Sequence, residues 1–264
     1  MIPAIRKEHP AFLFIAEAYW DLECELQQKG FDFCYDKKLY DRLEHCNAEN
    51  IRLHLCADVA YQQKLLRFIE NHDQPPPAAA TFSAQKERAA VVTMATLPGA
   101  KLFHEGQFVG RKMRPPVFLG RRPPERPDHE LQSFYTTRLE AINNPVFRSG
   151  EWTLCERTGW PENSSFQNLV AWTWMKDDER YLIVVNLSSG TVQARVHIPW
   201  RDLRGETWRL GDMLSGETYD RDGDEMRAPG LDEELGPWKF TSSGVVPFNP
   251  RGNWPARHDS PQRR

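Results

Sequence analysis

A chain of 264 residues has room for one large domain or two smaller ones, each with a sizeable core. Apolar residues make up 40% and charged residues 27%, the balance of a globular protein rather than a fibrous or disordered one. The net charge of −3 gives no reason to expect nucleic acid or an anionic membrane as partner, and no apolar run approaches the ~20 residues that span a bilayer.

The first half repeats one grammar: a short apolar run, polar residues at its end, then a helical stretch. Phe12-Leu13-Phe14-Ile15-Ala16 is the first run and stops at Glu17. Residues 21–29 follow in a helical pattern. A weaker run, Phe31-Asp32-Phe33-Cys34-Tyr35, stops at Asp36. Residues 48–61 are helical, with Ile51, Leu55 and Val59 at four-residue spacing. Leu65-Leu66-Arg67-Phe68-Ile69 leads into Glu70-Asn71-His72-Asp73. Ser83 is the N-cap of a helix predicted over 83–97, and Ala100-Lys101-Leu102-Phe103 then runs into His104-Glu105-Gly106. Strands alternating with helices predict parallel strands joined by right-handed crossovers, with chemistry at the carboxyl ends of the strands. Glu17, His72 and Asp73 fall there.

Residues 111–127 are rich in Pro, Gly and Arg and read as a long loop; 128–143 read as one more helix. After Phe147 short strand-like runs follow one another without strong helices: 152–156, 169–174, 181–186, 192–198 and 207–210. That is an all-β pattern, expected to be an antiparallel sandwich. The predicted division is an α/β part over 1–148, a β part over 149–241, and a disordered tail over 242–264.

A carboxyl group beside aromatic rings, as Glu17 is beside Tyr19 and Trp20, is partly desolvated and so suited to act as a general acid. On position alone, a strand-end carboxylate meeting solvent explains it better. Asn71-His72-Asp73 is sharper: an imidazole and a carboxylate adjoin at a strand end, and the prolines at 75–77 exclude a helix cap there. Asp73 could accept from sugar hydroxyls or steady an oxocarbenium-like transition state, and His72 could donate to a hydroxyl. His104-Glu105-Gly106 lacks the second histidine of a zinc motif, and Asp220, Asp222 and Asp224 lack the glycine and distal glutamate of a calcium loop, so no metal site is read. Neither a phosphate-binding glycine loop nor a serine nucleophile elbow occurs. Nine tryptophans suit sugar stacking and a β-rich core equally, but Trp172 and Trp174 alternate onto one strand face, the usual mark of core. Five cysteines without a CxxC pair, and a start without the order of a signal peptide, predict reduced thiols in a cytoplasm.

These residues match a pattern. Phe12-Leu13-Phe14-Ile15-Ala16-Glu17-Ala18-Tyr19-Trp20 resembles the fifth barrel strand of glycoside hydrolase family 13, the α-amylase family, where the glutamate is the general acid/base. Phe68-Ile69-Glu70-Asn71-His72-Asp73 resembles the seventh strand, which supplies the third catalytic carboxylate and a substrate-binding histidine. Leu97-Pro98-Gly99-Ala100-Lys101-Leu102-Phe103-His104-Glu105-Gly106 resembles the eighth. Residues 31–43 would hold the sixth strand, and the β part resembles the family's C-terminal domain. Single motifs of this size are weak; three in order on predicted strands are strong together.

The resemblance implies a fold of α/β followed by all-β: a partial (β/α)8 TIM barrel, about strands 5–8, with a C-terminal antiparallel β-sandwich. A complete barrel takes ~250 residues, so a whole barrel and the β part do not both fit. The resemblance also implies a retaining reaction on α-1,4-glucosidic bonds of α-glucans or maltooligosaccharides. Glu17 and Asp73 would be catalytic, and Asn71, His72, Tyr19 and Trp20 would bind substrate. No cofactor is implied beyond the calcium some members hold. The nucleophilic aspartate belongs to the fourth strand, which has no counterpart here, and Asp21, Asp32 and Asp36 lie outside its motif. The continuation Gln74-Pro75-Pro76 also departs from a Glu-Pro-Arg-like habit. The expectation is therefore a truncated glycoside hydrolase, inactive alone. The alternatives are one subunit of a split enzyme with a separately encoded N-terminal half, a transglycosylase such as a maltosyltransferase, and a non-catalytic carbohydrate-binding remnant.

Overall fold

The computed structural model describes residues 1–19, 21–73, 76–114, 123–213 and 216–248. Helix α1 (Ile2–Glu8) precedes strand β1 (Ile15–Ala16), helix α2 (Glu23–Gln28) and strand β2 (Phe33–Tyr35). Helices α3 (Lys37–His45), α4 (Ala48–Leu55) and α5 (Val59–Gln63) lead to β3 (Leu65–Arg67). Helices α6 (Ala78–Thr81) and α7 (Ala84–Thr96) lead to β4 (Ala100–Lys101), and α8 (His129–Ile142) and α9 (Val146–Ser149) close this part. The strands lie in chain order, β1-β2-β3-β4, and every pairing is parallel.

Local chemistry sets the helix starts. Asp36, Asn47, Asp58, Ser83 and Asp128 each accept a backbone N–H of the first turn of the helix that follows. Asp58 is why the helix expected over 48–61 is two: its side chain takes Ala60 N at 2.7 Å and restarts the chain as α5. Helix α3 was not predicted, although Leu39, Tyr40 and Leu43 bury one face of it.

The β part begins with β5 (Glu151–Leu154), β6 (Glu156–Thr158), β7 (Leu169–Lys176), β8 (Glu179–Asn186) and β9 (Val192–His197). It continues with β10 (Thr207–Asp212), β11 (Thr218–Asp222), β12 (Leu231–Leu235) and β13 (Phe240–Pro247). They form a six-stranded antiparallel sheet, β11-β10-β13-β8-β7-β5, and a three-stranded one, β12-β9-β6. Strand period divides the large sheet between two cores. Leu169, Ala171, Leu182 and Val184 face the small sheet and pack with Val192, Ala194 and Leu231. Val170, Trp172, Trp174, Ile183 and Val185 face the other way, onto Leu55, Val91, Met94 and Leu97. One core therefore runs through both parts of the chain. Trp174 Nε1 donates to Thr96 O at 2.7 Å across the seam, and Arg157 pairs with Glu49 at 2.6 Å at its edge.

One boundary differs from expectation. Residues 242–247, assigned to a disordered tail, lie in β13 between β8 and β10. Ser242, Ser243 and Gly244 carry little hydrophobic signal, yet their backbones fill the centre of a sheet and Ser242 and Ser243 are buried. The rest of that predicted tail, from residue 249, lies outside the described residues.

Candidate active site at the strand ends

Glu17 directly follows β1, Tyr35 ends β2, and His72 and Asp73 follow β3. Because the three strands are parallel neighbours, their carboxyl ends open on one side, and these side chains meet there. His72 Nε2 lies 3.7 Å from Glu17 Oε2 and 3.7 Å from Asp73 Oδ1. One ligand atom from each of the three residues lies within 4.8 Å of the others. Two carboxylates bridged by an imidazole make a concentrated negative site, suited to steady a positive charge that develops between them. The same three groups could hold a cation, although exposed acidic groups commonly gather without one.

Tyr19 donates its hydroxyl to Glu17 Oε1 at 2.9 Å. Burial raises the Tyr19 phenol well above its ordinary range, the bond to Glu17 and the charges of Glu17 and Asp73 adding to it, so it stays a hydrogen-bond donor. The expected desolvation of Glu17 is incomplete, since 34% of its side chain is exposed. Trp20, the other predicted aromatic neighbour, lies outside the described residues.

Asn71 behaves differently from a direct substrate contact. It is 2% exposed, and its Oδ1 accepts from Asp73 N at 3.0 Å, which shapes the turn that carries Asp73. Arg114, from the loop after β4, donates to His72 O at 3.1 Å.

Tyr35 was missed. Its phenol is raised by burial and then by the charges of Glu17 and Asp73. Its ring packs against Phe68 at 5.3 Å. The signal was available, because Tyr35 ends an apolar run in the same way that Glu17 follows one.

The remaining nearby aspartates are engaged elsewhere. Asp21 pairs with Lys38. Asp32 joins Arg6 at 2.7 Å and accepts Phe14 N at 2.7 Å. Asp36 is buried beneath the helices with Arg67 and His54; burial alone would raise its carboxyl, but those two partners hold it far below the usual carboxylate range. Asp220 is paired with Arg209, and Asp222 caps the turn at Asp224 and Glu225, so this acidic run is accounted for by local structure. Trp172 and Trp174 are buried, at 0% and 3% exposure, and offer no sugar platform.

Parallel strands under helical cover, with a β part packed behind them, are also the fold of α-amylase-type structures over part of their length. A noncanonic maltogenic α-amylase from Thermotoga neapolitana is similar to this chain with a TM-score of 0.73 and 17% identity, over 94% of this chain and 58% of that one. An Anoxybacillus α-amylase gives 0.72 and 16%, over 94% and 55%. A debranching enzyme from Nostoc punctiforme gives 0.66 and 14%, over 92% and 52%. The chain thus spans a little over half the length of these structures, and at such identities the likeness is one of fold. No family model and no curated protein matches the sequence. Among the described residues, no helix is long and apolar enough to cross a membrane.

Proposed function

We propose that this chain carries the acid/base and the transition-state stabiliser of a retaining glycoside hydrolase acting on α-1,4-glucosidic bonds of α-glucans. The observation that carries the reading is the meeting of Glu17, His72 and Asp73 at the strand ends of an α-amylase-type fold. Residues 1–148 then correspond to about strands 5–8 of a (β/α)8 barrel, and residues 149 onward to a β-sandwich.

In the proposed chemistry, a carboxylate from outside these residues attacks the anomeric carbon while Glu17 protonates the departing glycosidic oxygen. Glu17 then takes a proton from water as the covalent intermediate is hydrolysed, so the α configuration is retained. Asp73 accepts from sugar hydroxyls and stabilises the oxocarbenium-like transition state, and His72 donates to a hydroxyl. Tyr19 fixes the orientation of Glu17, and Asn71 positions Asp73 from beneath. The five free thiols fit a reducing compartment, and the cytoplasm is the proposed location.

Asp21, Asp32 and Asp36 being tied elsewhere, the chain alone is expected to give only background release of reducing ends from maltoheptaose. Brisk turnover by the pure chain, lost on Glu17→Gln, would overturn the assignment of an external nucleophile.

A two-chain enzyme is the second reading, favoured by the edge at β1. Phe12, Leu13 and Ile15 are 52%, 61% and 49% exposed there, and among the described residues β1 pairs only with β2. On this reading a separately encoded half adds strands to that edge. Co-expression with a polypeptide of four βα units bearing the nucleophile should give a stable complex and α-glucan hydrolysis; separate elution of the two chains counts against it.

A further inference from the structure

We propose that His104 is a further substrate contact of this site, an acceptor for a sugar hydroxyl, and that Glu70 is its positioning residue. The proposal rests on the glycoside hydrolase reading above and extends its binding surface to the end of β4. Strand β4 lies beside β3 in parallel register, and Leu102 N donates to Arg67 O at 2.8 Å, so His104 emerges on the same side as His72 and Asp73.

His104 is held from two directions. Its Nδ1 lies 2.8 Å from Oε1 of Glu70, whose side chain is 3% exposed while that of His104 is 27% exposed. The other oxygen, Oε2, accepts Ala78 N at 2.9 Å. Ala78 opens α6, at the far end of the loop that carries His72 and Asp73. One buried carboxylate therefore closes that loop and fixes the His104 ring. The backbone is fixed separately: His104 N donates to Gln107 Oε1 at 3.2 Å, and Gln107 Nε2 donates to the Tyr135 hydroxyl at 2.8 Å. The Tyr135 hydroxyl in turn donates to Glu87 Oε1 at 3.2 Å.

Burying a carboxylate is costly, and an apolar pair would serve stability as well. What the Glu70 arrangement provides is a defined ring. A carboxylate oxygen at Nδ1 makes Nδ1 the donor of this pair, and the other nitrogen, Nε2, then lies at the opposite edge of the ring, where in a neutral imidazole it offers its lone pair. Among the described residues that nitrogen has no hydrogen-bond partner. A pinned, partly exposed ring nitrogen on the same strand-end face as two carboxylates and His72 is what recognition of a polyhydroxylated ligand uses.

The test is nuclear magnetic resonance of the full chain with 15N-labelled imidazoles, titrated with maltoheptaose. His104 should hold its proton on Nδ1, and its Nε2 resonance should move together with the signals of His72 as sugar is added. Glu70→Gln should move His104 away from a single Nδ1–H tautomer, because one of the two oxygens that face Nδ1 and Ala78 N becomes an amide nitrogen, which donates instead of accepting. His104→Ala, which spares the Glu70 to Ala78 bond, should weaken maltoheptaose binding about tenfold. If His72 responds while His104 stays silent, the contact is refuted and the wider site stands. If both stay silent, the glycoside hydrolase reading fails and this proposal falls with it. A mixed tautomer in the unsubstituted chain refutes positioning by Glu70, however the variants fold.

Discussion

Glu87 lies on α7 with its carboxyl buried against the Tyr135 hydroxyl. Burial lifts it from an ordinary value of 4.5 to about 7, although the bond from Tyr135 pulls the other way. A raised carboxyl is protonated in the folded chain at a pH where the unfolded chain has already lost the proton. Stability from this group is therefore greatest below pH 4.5 and declines as pH rises towards about 7. Glu233 in β12 is raised to about 7 by burial as well and acts in the same direction. Replacing Glu87 by Gln keeps an acceptor for Tyr135 and removes the charge. We expect Glu87→Gln to gain about 1 kcal/mol at pH 8 and almost nothing at pH 4. Urea unfolding at the two pH values checks this, and an equal effect at both would refute the desolvation account.

At the scale of elements, the turn between α7 and β4 depends on one glycine. Gly99 has φ +96°, and a Cβ built there would lie 2.2 Å from Leu65 O, the backbone of the neighbouring strand. Gly99→Ala is expected to cost about 2 kcal/mol or more, from left-handed strain and displacement of β3. A shift in the thermal midpoint of less than a degree would show that the turn relaxes freely. The sequence made much of this level legible. All four parallel strands lie within their apolar runs, and Ser83 caps α7 as predicted. The strands proved shorter than the runs: Phe12, Leu13 and Phe14 are apolar but outside the paired residues, because β1 has β2 on one side and no described neighbour on the other. Strands β11, β12 and β13 were missed for another reason. Strand β12 alternates, but its inward set includes Glu233, and β13 passes through Ser242, Ser243 and Gly244, so pairing rather than side-chain pattern defines them. At the candidate site, the meeting of Glu17, His72 and Asp73 was legible, because parallel neighbouring strands open their carboxyl ends on one side. The Asn71 turn is a local bond, two residues long, that an Asn at a strand end could have signalled, whereas the pairing of Glu70 with His104 spans 34 residues, which local pattern does not report.

For the whole molecule, the decisive fact is that the helices of the first part and the large sheet of the second share one core. Unfolding either part would expose Trp172 and Trp174, fully buried aromatics, against emptied helix faces. We therefore expect a single transition in which helical circular dichroism and tryptophan emission change together. Two separated transitions would show that the seam contributes little. Trp174→Phe, which removes the bond to Thr96 O, should lower the stability of the whole unit by about 1 kcal/mol rather than uncouple its parts.

That seam also bears on how such a chain can change over time. A recombination joint near residue 148 would set one lineage's sheet against another lineage's helices, and the new neighbours would have to match Trp152, Trp172 and Trp174 at once. The β part is thus expected to tolerate exchange only when the helices it backs are exchanged with it, as one block rather than a cassette.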